Sequence, residues 1–270
     1  MSLAKNMELR TQQLPARFLL ACVVLFAISV AATIHFCRSM SGGMFMPGGW
    51  TMSMMWMPMP DGWSASAAMF LLMWLAMMVA MMLPSALPML LHLRRSSVGT
   101  ENRNFEARAL FAAAGYFFVW TLIGVVVYGL GVAFAIATMR MDWLSRLTPA
   151  LSGSALVIAG IIQFTPWKLS ALRRCRAPDC GTTFAYSTLN GSWRYGLKQG
   201  VACGLCCAAP MLALLVLGAM NLTLMAVIAG VITVEKLLPH PEDTARLFGA
   251  MALLMGLGIL VQRGLLLQMG

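Results

Sequence analysis

The side chains best suited to chemistry in this 270-residue chain are its sulfurs, 25 methionines and seven cysteines. Neither set is spread evenly. Met69, Met73, Met77 and Met81 step by four, and Met78 and Met82 form a parallel rung beside them. Residues at i and i+4 lie on one face of a helix, so the segment presents a sulfur stripe. Pro84 and Pro88 follow it, and prolines there interrupt the hydrogen-bond ladder and often mark a functional bend in membranes. Further on, Cys203, Cys206 and Cys207 share one helix face, which Met211 continues a turn later. Pro210 deprives the Cys206 carbonyl of its helical donor. Cys175 and Cys180 lie in the basic stretch Arg174-Cys-Arg-Ala-Pro-Asp-Cys180, whereas Cys22 and Cys37 stand alone.

Softness decides what such a set would bind. Thioether and thiolate sulfur select Cu(I) over hard cations. Neutral thioethers need no deprotonation, so they can hold a monovalent ion where the dielectric is low. The candidate ligands on the first stripe are Met73, Met77, Met78, Met81 and Met82. On the second they are Cys203, Cys206, Cys207 and Met211, with Cys175 and Glu235 beside them. A capture site is expected upstream, where Met44, Met46, Met52, Met54, Met55, Met57 and Met59 fall among Gly42, Gly43, Pro47, Gly48, Gly49, Pro58 and Pro60. That density of Gly and Pro opposes a regular helix and predicts a loop or re-entrant segment. The competing reading is that methionine is a flexible packing residue. Two other chemistries compete for the cysteines. Zinc would want four ligands such as paired C-x-x-C units, and Cys203 with Cys206 could form a redox dithiol on a reducing side of a membrane.

The elements that must position these sulfurs are membrane spans. Hydrophobic residues make up 60% of the chain and charged ones 10%, against about 25% charged in a soluble domain. A span needs roughly 20 mainly apolar residues. That ruler predicts an all-α bundle with spans near 18–37, 65–91, 108–138, 148–166, 199–219, 221–238 and 245–265. The sixth is short, and only Met220 and Asn221 separate it from the fifth. A tight helical hairpin there would leave six spans. With residues 1–17 inside, 15 of the 19 basic residues fall on the inner side, as the positive-inside rule requires. The net charge of +10 therefore reads as topology, and nothing marks a nucleic-acid surface. Span one reads as a retained anchor, because its apolar run exceeds an h-region and no A-x-A site follows. Residues 38–64 then form an outer loop, 65–265 the embedded domain and 266–270 a tail. Counted at 1.5 Å per residue, Cys207 and Met211 lie about 13–20 Å from the inner end of their span, and Met81 about 15 Å from the inner end of its own. The two sulfur stripes can meet at one level.

Few other polar groups enter the spans. Gln163, Thr165 and Lys168 end the fourth, and Glu235 and Lys236 end the sixth. Ionisable groups in a span are costly and are usually paired or functional. Glu235 is expected to find an internal partner, and Lys236 to snorkel to the inner surface. His35, His92 and His240 sit near span ends and read as interfacial. No Walker-type loop, Gly-x-Ser-x-Gly elbow or His-Glu-x-x-His occurs, so no nucleotide or hydrolase chemistry is expected.

Taken together, Trp74-x-x-Met77-x-x-Ala80-Met81-Met82-x-Pro84, Gln163-x-Thr165-Pro166-x-Lys168, Cys175-Arg-x-Pro178, Gly200-x-x-Cys203-x-x-Cys206-Cys207, Met211, Asn221 and Glu235-Lys236 resemble one family. It is the predicted metal-binding integral membrane proteins, a domain of unknown function sometimes labelled copper chaperone. The resemblance runs from about residue 65 to 265. It implies a multi-pass protein of the bacterial inner membrane with a metal role. Cys180 and the Met-rich loop are particular to this chain, and Ala208 stands where a bulky aromatic is expected. Three functions compete: Cu(I) capture with hand-off or transport, a membrane subunit of a copper-dependent oxidase or thiol redox relay, and a metal-free structural partner. The absence of span-centred histidines argues against a catalytic copper centre. The partners expected are the lipid bilayer, a copper enzyme or periplasmic metal-delivery protein, and other subunits of a homo- or hetero-oligomer. Gly249, Gly256 and Gly258 in the last span suit such association.

Overall fold

The computed structural model describes residues 16–39, 42–58, 62–95, 105–176, 188–238 and 241–268. Met40, Met59, Cys180 and His240 lie outside them. The described residues form an all-α bundle of eight helices with one small hairpin. In chain order the helices are α1 (Ala16–Ser39), α2 (Trp63–Arg95), α3 (Phe105–Arg140), α4 (Asp142–Gln163), α5 (Pro166–Arg176), α6 (Leu189–Gly218), α7 (Leu222–Leu237) and α8 (Pro241–Gln268). Six of them contain stretches long and apolar enough to cross a membrane: α1, α2, α3, α4, α6 and α8. Large apolar side chains such as Leu20, Val23, Leu122, Leu130, Leu247 and Leu254 point outward, as helices solvated by lipid tails require.

The expected sixth span is the 16-residue α7. It follows α6 through a turn in which Gly218 takes a φ of 124°. The Asn221 side chain then accepts from the Leu224 N–H at 3.1 Å and caps α7. This is the helical hairpin that the short linker suggested. Helix ends depart from the apolar runs for readable reasons. α6 begins ten residues before the expected 199, because its first turns, Leu189–Lys198, are helical but polar. α4 stops at Gln163, and Pro166 opens α5 instead of extending the span to 166, since proline suits the first turn of a helix and not its interior.

The Met-rich segment is ordered as a hairpin, β1 (Gly43–Met46) and β2 (Trp50–Ser53), followed by a 3-10 turn over Met54–Trp56. The strands are antiparallel, with Met44 opposite Met52 and Met46 opposite Trp50. Gly48 turns between them at a φ of 109° and lies so close to α4 that an added Cβ would stand 2.9 Å from the Ser145 carbonyl oxygen. Pro149 frees that same carbonyl from the α4 ladder, and Trp50 Nε1 donates to it at 2.9 Å. Ser145 Oγ donates to the Pro47 carbonyl at 2.6 Å, and Arg263 of α8 to the Gly48 carbonyl at 2.9 Å. Met46 and Met52 are thereby buried against Ala135 of α3.

Glycines set how closely the long helices approach. Gly153 and Gly160 of α4 face Gly256 and Gly249 of α8, backbone against backbone. The small residues of the last helix, Gly249 and Gly256, thus serve an intramolecular contact, while Gly258 faces open space. Gly115 of α3 and Gly196 and Gly200 of α6 make an equally close contact, which brings α3 up against the cysteine face of α6.

Candidate metal centre

Both sulfur stripes turn inward. Met73, Met77, Met78, Met81 and Met82 are all buried, as are Cys203, Cys206, Cys207 and Met211. They meet, but about one turn from where the depth count placed them. The contact is between Cys203 Sγ and Met82 Sδ, 3.9 Å apart, because α6 starts earlier than its apolar run. Cys207 Sγ lies 3.9 Å from Cys203 Sγ and 3.5 Å from Cys206 Sγ. Cys175, from the short helix α5, completes a group with Cys203 and Cys206 whose three sulfurs all lie within 4.8 Å of one another. One sulfur cluster is thus assembled from α2, α5 and two adjacent turns of α6.

The cluster is held from outside by polar side chains. Gln199 Nε2 donates to the Cys175 carbonyl at 2.6 Å and reaches its sulfur at 3.9 Å. Lys168 Nζ donates to the Cys206 carbonyl, the acceptor that Pro210 strips of its helical partner. Lys168 also pairs with Glu235 at 2.9 Å, and Gln163 Nε2 reaches the other Glu235 oxygen at 3.5 Å. Glu235 has the internal partner expected of it, and it is linked to the sulfur turn through Lys168 rather than directly. All three members of this network are buried, and a buried ion pair is tolerated when further hydrogen bonds complete it.

Lys236 departs from its expected place. Its ammonium does not snorkel to a surface. It is buried and donates to Cys203 Sγ at 2.9 Å and to Ser85 Oγ at 3.0 Å. The stem runs into the packed bundle, so the head finds a sulfur and a hydroxyl as its acceptors instead of interfacial water. Tyr116 of α3 also donates its hydroxyl to Cys203 Sγ at 2.9 Å. Two donors on one sulfur, one of them a cation that cannot accept, make Cys203 the acceptor of the group. The hydrogen bond shared with Cys203, reinforced by burial, pushes the Cys175 thiol up to about 11.

Sequence reasoning placed the cysteines, Met82 and Glu235 but not Tyr116, Ser85, Gln199 or the inward turn of Lys236. A charge at the end of an apolar run was the available signal for Lys236. Nothing in the sequence distinguishes Tyr116. Of the remaining candidates, Met46, Met52 and Met55 are buried in or beside the hairpin, Met44 and Met54 are exposed, and Met57 is half-buried. His35 is exposed on α1 against Phe36.

Three protonatable thiols, a thioether and a cation packed together inside the bundle form a donor set that suits a soft metal ion. A family model, PpoB2, described as copper chaperone, matches residues 71–259. The chain belongs to that family. The match begins inside α2 and ends inside α8, so it covers every residue of the thiol cluster and leaves out the hairpin and α1. No curated protein and no solved structure gives a significant match.

Proposed function

We propose that this copper chaperone family member binds Cu(I) within the bilayer of a bacterial inner membrane and passes it to a partner. The single observation that carries this is the group of the half-buried Cys175 with the buried Cys203 and Cys206, with Met82 Sδ 3.9 Å from Cys203. Thiolates give tight binding, and the buried Met82 thioether beside them gives an exchangeable ligand of the same softness. The methionines of α2 support a route in which an ion moves between neutral donors before it reaches a thiolate. The hairpin methionines Met44, Met46, Met52, Met54, Met55 and Met57 are the proposed point of capture. Glu235 keeps Lys168 in place, and Met211 is buried in the same core, so neither is required as a ligand. A copper enzyme or a soluble metal-delivery protein is the natural recipient.

The test is an anaerobic Cu(I) titration of the purified protein against a competing chelator. Cys203→Ser and Cys206→Ser are each expected to weaken binding by about 100-fold or more, close to 3 kcal/mol. Cys22→Ser, on α1, which gives no sulfur to the cluster, is expected to leave it unchanged. Binding by the two serine variants equal to that of the wild type would sink the reading.

A further inference from the structure

Resting on that Cu(I) reading, we propose that Lys236 is the built-in counter-charge of the centre and fixes how many thiolates a bound ion can take. Two lysine ammoniums donate to the sulfur turn, Lys168 to the Cys206 carbonyl and Lys236 to Cys203 Sγ. Lys168 and Glu235 neutralise each other at 2.9 Å. The Lys236 ammonium instead faces the sulfurs, 2.9 Å from Cys203 Sγ. Ser85 and Tyr116, the other polar groups on this pair, are neutral. A buried site is stable when its charges sum to zero, since an unpaired charge there is costly.

The count follows. With one fixed positive charge present, a neutral centre needs one more thiolate than the charge of the ion. A monovalent ion takes two thiolates and a divalent ion three. As each metal–sulfur bond forms, the S–H bond of that cysteine breaks and its proton leaves to water. Without the ammonium, the neutral centre has only as many thiolates as the ion has charges. A monovalent ion then drops from two thiolates to one, losing half of its strong ligands. A divalent ion drops from three to two. Lys236 therefore favours the monovalent ion, although it carries the same sign of charge as the ion itself.

The experiment compares wild type, Lys236→Gln and Lys236→Arg in anaerobic titrations with Cu(I) and, separately, with Co(II), whose thiolate absorption reports its binding. Glutamine removes the charge and keeps an N–H donor on a side chain one atom shorter than lysine's; arginine keeps the charge. In K236Q the preference for Cu(I) over Co(II) is expected to fall by at least about tenfold, with Cu(I) affinity itself down about 30-fold or more. In K236R the preference is expected to stay within about threefold of wild type. Equal weakening of both metals in K236Q, or a K236R variant that behaves like K236Q, overturns the inference, because a merely structural lysine moves both ions together. If K236Q does not purify folded, the K236R ratio decides alone: a tenfold loss with the charge retained overturns it. Wild type that binds no Cu(I) would end both readings, whereas wild-type binding with an unchanged K236Q ratio ends only this one.

Discussion

Glu235→Gln is expected to lower the stability of the purified protein by about 3–5 kcal/mol, the usual cost of removing one partner of a buried ion pair. The reason lies in what remains. Lys168 is fully buried, and its ammonium would keep only the Cys206 carbonyl and a neutral amide as acceptors. The alternative for the chain is to open the contacts among α5, α6 and α7 and let water in, which separates Cys175 from Cys203 and Cys206. Thermal unfolding followed by tryptophan fluorescence reads the loss. A double variant gives the sharper comparison. Lys168→Met with Glu235→Gln removes both charges, so it is expected to recover more than half of the loss. It does not recover all of it, because the Cys206 carbonyl again lacks a donor and costs about 1–3 kcal/mol. A double variant no more stable than E235Q alone would mean that the two charges are not coupled, which contradicts their 2.9 Å separation. Coupled neighbours deviate from additivity, and this pair is expected to do so by at least about 1 kcal/mol.

Much of this arrangement is legible in the chain alone. Period-four methionines and the 203/206/207 spacing gave two sulfur faces, and residue-counted depth brought them to one level. Pro210 announced an orphaned carbonyl on Cys206, and Lys168 fills it. The error of about one turn in where the faces meet has a physical origin: hydropathy marks lipid-facing length, while a helix such as α6 continues through ten polar residues that hydropathy does not see. What the sequence could not carry is partnership across long separations. Tyr116 reaches Cys203 over 87 positions and Lys236 reaches Ser85 over 151. A tyrosine in an apolar helix looks like any other until the neighbouring helix is placed. The two-stranded hairpin was hidden for a different reason. Its strands are four residues each, too short for alternation to register, and what orders them is tertiary, through Trp50, Ser145 and Arg263. Orientation in the membrane rests on charge asymmetry, and two lysines counted toward it, Lys168 and Lys236, are buried in the bundle and serve other ends.

Placement of Tyr116 on Cys203 depends on how closely α3 meets α6, and this leads to the other large effect. Gly196→Ala is expected to destabilise the protein by about 3 kcal/mol, the upper part of the range for overpacking, and Gly196→Leu to prevent recovery of folded protein. A Cβ at Gly196 would collide with the Ala112 carbonyl oxygen, with the Ala112 carbon at 2.9 Å and the Tyr116 nitrogen at 3.0 Å. All three are backbone atoms of α3, so no side chain can rotate away. The helices must separate instead, and Gly115 and Gly200, which contact the same partner backbones, would lose their fit as well. Separation withdraws the Tyr116 hydroxyl from Cys203, so Cu(I) affinity is expected to fall along with stability in the alanine variant. Gly230 of α7 supplies the control, because nothing lies within 4 Å of a Cβ built there. Gly230→Ala should shift stability the opposite way, up by as much as about 1 kcal/mol, since alanine is the better helix former. Comparable melting curves for the Gly196→Ala and Gly230→Ala variants would show that α3 and α6 are not packed backbone to backbone. The same result would remove the reason for Tyr116 to stand beside the thiol cluster, because the residue reaches Cys203 only while the two helices remain in glycine contact.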